Sequence, residues 1–551
     1  MTGVRHSEAP SRRVPGGRTV FSAHDGGLGH PGVPKAWRTL SCMNAVDFAE
    51  IERKYDVDAA SVLPPLQDLP GVTWVDAPIE QSLDAVYYDT ADLTLAAHRI
   101  TLRRRTGGDD AGWHLKLPSG VEGRGPDERR EVHEPLGSDP ELVPAGLQQR
   151  VRVLVRDQVL VPVVRLRNHR IVHVLRGETG AVLAEVCDDS VRADRLAPGP
   201  LSQVWREWEI ELVEGTPVLL DAVADAFAAG GVSRAGYPSK LGRALGDRLP
   251  ANAPAAPPAP TRSSTTGALL LAYLDTQMRA LVRQDPLVRR DDAEAVHQMR
   301  VATRRMRSVL ASYRDLLPGG LATALGDELQ WIARVLGATR DNEILHHNLA
   351  RSLSSEPAKL VVGKVGKRLD VYFTADLTAA QAHADVALDS PRYFRLLDAL
   401  DALIADPPFT ALAKKPARSA VPSIISRDAD RLRKAVRAAR KVPQGPDHDA
   451  ALHEVRKIAK RLRYSTESAL PLSPKRAARL VASARLVQDI LGEHHDSVVA
   501  KGVLLKLGMQ AYIENENSFT YGRLHATEQF RGAHLESRFR SAWKSFPKSA
   551  L

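Results

Sequence analysis

The stretch Glu50-Ile51-Glu52-Arg53-Lys54-Tyr55, flanked by Phe48-Ala49 and Val57, decides how the first half of this chain reads. Its flanks suit an extended strand, whose successive side chains point to opposite faces. Glu50, Glu52 and Lys54 therefore share one face, and Ile51 and Tyr55 the other. Two carboxylates beside an ammonium suit a divalent cation together with an anion. On a wetted sheet edge the same residues would be ordinary solvated charges. On a buried face they demand ligands or partners, because unpaired charge is costly away from water.

Outward from that stretch, residues 46–249 keep a period of two. Val86-Tyr87-Tyr88-Asp89-Thr90 runs into a polar turn. Arg99 to Arg105 alternates, with Arg99, Thr101, Arg103 and Arg105 on one face and Ile100, Leu102 and Arg104 on the other. Gly107-Gly108-Asp109-Asp110 reads as a hairpin turn into Trp113-His114-Leu115-Lys116-Leu117, where His114 and Lys116 face away from the apolar residues. Arg170 to Leu175 leads through Gly177–Gly180 into Val182 to Val186. From Trp205 to Leu212, Glu207, Glu209 and Glu211 alternate with Arg206, Trp208, Ile210 and Leu212. Leu219 to Ala229 reads as a helix stopped by Gly230-Gly231. Five prolines between Pro250 and Pro260 make a stiff linker.

Beyond the linker the period becomes 3.6. Leu269 to the C-terminus reads as helices separated at Pro318-Gly319-Gly320, Pro407-Pro408 and Pro443–Pro446. This half repeats itself. His297, Arg300, Arg304, Arg305 and Arg307 recur 156 positions later as His453, Arg456, Lys460, Arg461 and Arg463, and Leu336, Gly337 and Asp341 recur 155 positions later as Leu491, Gly492 and Asp496. Matches in one order and nearly one register imply a duplicated helical unit. The expected fold is α+β: an N-terminal antiparallel β-barrel or tunnel at 44–249, a linker at 250–266, and an all-α bundle built by internal duplication at 267–545. Residues 1–43 read as a disordered extension, with Met43 a candidate start.

At 551 residues the chain exceeds a single core. Its net charge of +10 calls for an acidic partner: nucleic acid, an anionic membrane surface or polyphosphate. Aromatic residues make up 5%, which is thin for stacking on single-stranded bases and counts against nucleic acid. Cys42 and Cys187 lack metal-ligand spacing and fit a reducing compartment. No apolar run approaches a membrane span, and no secretory h-region precedes residue 43. A cytoplasmic protein is expected, with association to polyphosphate granules an extension of that reading. Its oligomeric state is left open.

The first half carries acidic strand faces (Glu50, Glu52; Glu207, Glu209, Glu211) and basic ones (Lys54, Arg99, Arg103, Arg105, Lys116). As outward faces they would form cross-strand ion pairs. Yet Trp113, Leu115, Leu117, Trp208, Ile210 and Leu212 already supply a core on the opposite faces. A closed barrel with a charged, hydrated lumen fits both facts, its carboxylates holding Mg²⁺ or Mn²⁺ and its cations holding phosphates.

The region 46–245 resembles the CYTH superfamily of tunnel-shaped triphosphate-binding enzymes, which includes thiamine triphosphatases, inorganic triphosphatases and class IV adenylate cyclases. The motifs are Glu50-x-Glu52-x-Lys54, Tyr-Tyr-Asp-Thr at 87–90, Leu-Arg-Arg-Arg at 102–105 and Trp-His-Leu-Lys-Leu-Pro at 113–118. Glu-Val-Cys-Asp-Asp at 185–189, Glu-Ile-Glu at 209–211 and Ser-Lys-Leu at 239–241 complete the set in the family's order. The resemblance implies metal binding by Glu50, Glu52, Glu209 and Glu211, with Asp188 or Asp189 adding to the acidic side. It implies that Lys54, Arg103, Arg105, Lys116 and Lys240, joined by Arg129 and Arg170, clamp the triphosphate. His114 stands where a small hydroxyl residue is expected, and Glu207 extends the usual acidic pair. One metal bridging phosphate oxygens and a second activating water would give in-line attack.

In the second half, His297, Arg300, Arg304 and Arg307 span an arc of roughly 80° and form one stripe. His453, Arg456, Lys460 and Arg463 form its counterpart, with Lys457 beside it. Each histidine opens a basic helix, so capping, a core role and phosphate contact all stay open. The region 265–545 resembles the CHAD domain, a helical module whose histidines and basic residues bind inorganic polyphosphate. The implied activity is metal-dependent hydrolysis of inorganic triphosphate or a related triphosphate. Alternatives are a non-catalytic polyphosphate-binding protein and, ranked last, an adenylate cyclase.

Overall fold

The computed structural model describes residues 46–118, 127–196, 201–251 and 256–549. The expected N-terminal extension, Met43 and part of the linker lie outside the described residues. The first half contains β1 (Val46–Val57), β2 (Trp74–Val75), β3 (Ile79–Asp89), α1 (Thr94–Ala97), β4 (Thr101–Thr106), β5 (Gly112–Pro118) and β6 (Glu128–Glu134). It continues through α2 (Ala145–Val155), β7 (Val161–Arg176), β8 (Val182–Arg195), β9 (Ser202–Leu212), α3 (Pro217–Ala229), β10 (Ser233–Arg234) and α4 (Lys240–Leu245).

Eight strands run antiparallel in the order β1-β6-β5-β4-β3-β7-β8-β9 and close on themselves. Closure comes from β1, whose first half pairs with β6 (Glu50 opposite Arg129) and whose second half pairs with β9 (Glu52 opposite Glu211, Lys54 opposite Glu209). The short β2 and β10 attach to β7 and β1.

The apolar packing lies outside the barrel wall. Tyr55, Trp208 and Ile210 pack beneath Leu219, Leu220, Val223 and Phe227 of α3, with the Phe227 ring 4.8 Å from Tyr55 and 5.0 Å from Trp208. Leu102, Trp113, Leu115 and Val132 pack beneath Leu147, Val151 and Val155 of α2. Burial on the outside leaves the opposite strand faces to line a lumen. At one end, Leu241 and Leu245 of α4 pack on Val164, Val191, Ala193 and Trp205.

Two local expectations fail. Arg99 precedes β4 and takes a left-handed backbone (φ 60°), so the basic strand starts at Thr101. Residues 145–155, whose Val151, Val153 and Val155 alternate like a strand, fold as α2. The helix wins because Leu147, Val151 and Val155 at helical spacing cover the barrel, while Val153 joins the core of the second half.

That half holds α5 (Thr266–Val288), α6 (Ala293–Ser312), α7 (Leu321–Ser354), α8 (Val365–Leu388), α9 (Pro391–Ala405), α10 (Ala417–Ala439), α11 (Pro446–Glu467), α12 (Pro474–Ile513) and α13 (Phe519–Lys544). The duplication is visible in the packing. Successive helices pack in α5–α8 as in α10–α13, and α6 meets α11 across the middle. The two repeats begin side by side: Thr266 N donates to Lys415 O and Ala417 N to Ser264 O, both at 2.9 Å. The barrel docks on this bundle through α2, where Arg156 donates to Asp398 (3.2 Å) and Asp401 (2.6 Å). No helix among the described residues is long and apolar enough to cross a membrane.

Candidate active site

Strand alternation puts Glu50, Glu52 and Lys54 of β1, Arg103 and Arg105 of β4, Lys116 of β5, Arg129 and Glu131 of β6, Arg170 of β7 and Glu209 and Glu211 of β9 around one cavity inside the barrel. Lys240, at the start of α4, and Asp110, in the β4–β5 turn, complete its charged lining. Six carboxylates thus face seven cations, so the lumen is close to neutral through internal ion pairs.

The pairs divide into two groups. On one side Lys116 Nζ lies 2.6 Å from Glu50, 3.6 Å from Glu131 and 3.8 Å from Glu52. His114 Nδ1 donates to Glu131 Oε1 at 2.6 Å and fixes that carboxylate. Burial pushes the Glu50 carboxyl up to about 8; Lys116 opposes the shift, while crowding by Glu52, Glu131 and Glu211 adds to it. Despite burial, Lys116 and Lys54 hold Glu52 down at about 2. This is a donor set with more carboxylate than its cations can neutralise, which a divalent ion relieves.

On the other side Arg170 grips Asp189 through two bonds (2.7 and 2.6 Å) and Glu209 through one (2.7 Å). Lys240 Nζ touches Asp189, Glu207 and Glu209, and Lys54 bridges Glu52 (2.9 Å) and Glu209. Among the described residues, Asp189, Glu207 and Glu209 form the one acidic group whose oxygens come within 4.8 Å of one another, close enough to hold a metal ion. Burial alone would raise the Asp189 and Glu209 carboxyls, but Arg170 and Lys240 hold both below the usual range.

Along β4, Arg103 donates to Tyr87 Oη at 3.3 Å and Arg105 pairs with Asp110. Burial, then repulsion from Arg103 and Arg170, pushes Arg105 down to about 9. Arg129 Nη2 donates to the Pro238 carbonyl at 2.9 Å. These guanidiniums have more N–H groups than partners in these contacts, and five donors each allow them to take an anion as well.

Asp188 does not line the cavity. It faces outward opposite Trp208 and is held by Arg206 in a double bond (2.8 and 2.6 Å). Its neighbour Asp189, opposite Glu207 and Arg170, is the inward acid. Sequence reasoning also missed Glu131, although its position two residues after Arg129 places both on one strand face.

In the bundle, α6 and α11 carry the two basic stripes on helices that pack together. Neither histidine caps its helix. Asp292 caps α6 by accepting from Ala295 N at 2.9 Å, and α11 begins at Pro446, seven residues before His453. The Arg304 Nε and His453 Nδ1 atoms are buried without a hydrogen-bond partner among the described residues. Burial, then His495, Arg456, Lys457 and Lys460, push the His453 imidazole down to about 4. Burial is the larger cause, and the neighbouring cations add to it. Two stripe residues are committed elsewhere: Arg463 bonds Glu467 (2.9 Å) and Gln488 (3.2 Å), and Lys457 pairs with Glu454 at 2.5 Å.

Residues 49–234 match the CYTH domain model and residues 272–505 the CHAD domain model. Uncharacterized proteins MT2285 and Rv2226 of Mycobacterium tuberculosis are each 38% identical over 516 residues, covering 91% of this chain and 96% of theirs. This chain belongs to the family that joins a CYTH domain to a CHAD domain. Among solved structures, PptA from Streptomyces chartreusis is similar at 25% identity and a TM-score of 0.44, over 51% of this chain and 100% of that one. The charged cavity is thus the lumen of a CYTH tunnel, and the α6–α11 seam lies in the CHAD domain.

Proposed function

We propose that the CYTH tunnel hydrolyses inorganic triphosphate or a related triphosphate with Mg²⁺ or Mn²⁺, and that the CHAD domain holds inorganic polyphosphate. The observation that carries this reading is the division of one closed lumen into a carboxylate-rich wall on β1 and β9 and a cationic wall on β4, β5 and β7 (Arg103, Arg105, Lys116 and Arg170). Glu50, Glu52 and Glu211 suit the metal, which when bound would neutralise phosphate charge and polarise the phosphorus under attack.

The chain's own part is a change of partners. In the free tunnel Lys116 and Lys54 are tied to Glu50, Glu52 and Glu209. A phosphate chain takes these ammoniums over, along with spare N–H groups of Arg103, Arg105 and Arg129. The vacated carboxylates then face the cation. Fixed charges in a lumen walled from bulk water stabilise the charge that builds on the leaving phosphates. On the CHAD side, the buried unpartnered atoms of Arg304 on α6 and of His453, whose ring lies against His495 of α12, support anion binding along the two basic stripes.

Phosphate release from tripolyphosphate by the full chain tests the enzyme reading. Activity should require Mg²⁺ or Mn²⁺, vanish with a chelator, and fall at least a hundredfold in Glu52→Gln. No metal-dependent release from tripolyphosphate, nucleoside triphosphates or thiamine triphosphate would leave a polyphosphate-binding protein without catalysis.

A further inference from the structure

We propose that Lys240 is a built-in cation, seated where a second divalent ion would otherwise bind, so that the free tunnel takes a single metal on its Glu50–Glu52–Glu211 side. This rests on reading the tunnel as a metal site and adds how many ions it holds and why. An ammonium has three N–H donors and no more. Lys240 Nζ lies 2.7 Å from Asp189 Oδ2, 2.8 Å from Glu207 Oε1 and 2.6 Å from Glu209 Oε1. Nζ thus sits among the three carboxylates whose oxygens meet the spacing of a metal site, donating to Glu209 and lying at ion-pair distance from Asp189 and Glu207. This seat among the acids separates Lys240 from the clamp residues with which the sequence grouped it.

Charge counting agrees. Asp189, Glu207 and Glu209 are faced by Lys240, Arg170 and Lys54, so the cluster is neutral as it stands. A divalent ion added beside Lys240 would leave two uncompensated buried charges. Without Lys240 the cluster is one charge short, and a divalent ion becomes favourable.

The chain is built to deliver this ammonium. The apolar face of α4 packs on the end of the barrel, and Ser239 caps the helix by accepting from Gly242 N at 3.0 Å. The third wall of the cage is Glu207, the acid that extends the usual family pair. Glu207 is 3% exposed, and its second oxygen accepts from Trp205 Nε1 at 2.6 Å, so it cannot swing away freely.

Mn²⁺ titration of the phosphate-free full chain, read by the electron paramagnetic resonance of free Mn²⁺, tests this. Wild type should bind one Mn²⁺, Lys240→Met two, and Lys240→Met with Glu207→Gln one again. Two ions in wild type, or one in folded Lys240→Met, would overturn the inference. Should Lys240→Met fail to fold without metal, refolding in Mn²⁺ decides: recovery supports the cage, and no recovery overturns it. Hydrolysis is not read, so a wild-type chain that binds one Mn²⁺ yet releases no phosphate sinks the proposed activity and leaves this inference standing.

Discussion

Lys116→Met removes the ammonium that now occupies the proposed metal carboxylates. Its effects on metal and on phosphate should have opposite signs. The ammonium lies 2.6 Å from Glu50 and 3.8 Å from Glu52. Unit charges about 4 Å apart interact by about 4 kcal/mol at an effective dielectric of 20, and an arriving ion must displace part of that attraction. Recovering a third of it, about 1.4 kcal/mol, tightens Mn²⁺ binding about tenfold. Phosphate loses a charge-assisted hydrogen bond of roughly 1.5–3 kcal/mol, so KM for tripolyphosphate should rise about 10- to 150-fold. Breaking the buried pair should cost about 3–5 kcal/mol of metal-free stability. Mn²⁺ should restore much of the lost melting temperature. Calorimetric Mn²⁺ titration, thermal melts with and without Mn²⁺, and steady-state phosphate release read the three effects. Mn²⁺ affinity that falls in parallel with phosphate affinity would refute the exchange of partners.

On the CHAD side, Arg304→Ala with Arg456→Ala should weaken polyphosphate binding and lower its salt slope by about one unit per lost charge, read by binding at several salt concentrations. An unchanged slope removes these residues from the contact surface. His453 sits at about 4 in the free protein against an ordinary 6.5, so the folded state disfavours its charged form. Its contribution to stability is present above pH 6.5 and is lost as pH falls toward 4. A bound polyanion raises the imidazole again, so polyphosphate affinity should increase on acidification from pH 7 to 5. His453→Asn should remove that increase, and a rise that persists in the variant contradicts the assignment. Arg156→Glu places an acid against Asp398 and Asp401 and should loosen the α2 contact by a few kcal/mol. Calorimetric unfolding should then separate into two transitions, whereas an unchanged profile would show that the domains do not depend on this contact.

The charged lumen was legible because two independent strands, 50–54 and 207–211, set glutamates on one face while Ile51, Tyr55, Trp208 and Ile210 supply a core on the other. The duplication was legible because its basic residues keep their helical spacing. The Asp188–Asp189 choice was not. Adjacent acids lie on opposite faces, and only the pairing of β8 with β9 decides which points inward. The α2 helix was hidden because Val151, Val153 and Val155 are all buried, two against the barrel and one against the bundle, which erases the polar side of a helical pattern. The role of Lys240 was hidden for another reason. The motif places a lysine at the lumen, but only the three distances reveal that three carboxylates already surround its ammonium.

Anomalous diffraction from crystals grown with Mn²⁺ and a non-hydrolysable triphosphate analogue would locate the metal and the phosphate chain together. A manganese peak is expected among Glu50, Glu52 and Glu211, with the phosphates against Arg103, Arg105 and Lys116 inside the barrel. A phosphate chain bound outside the barrel, with the lumen ion pairs intact, would contradict it.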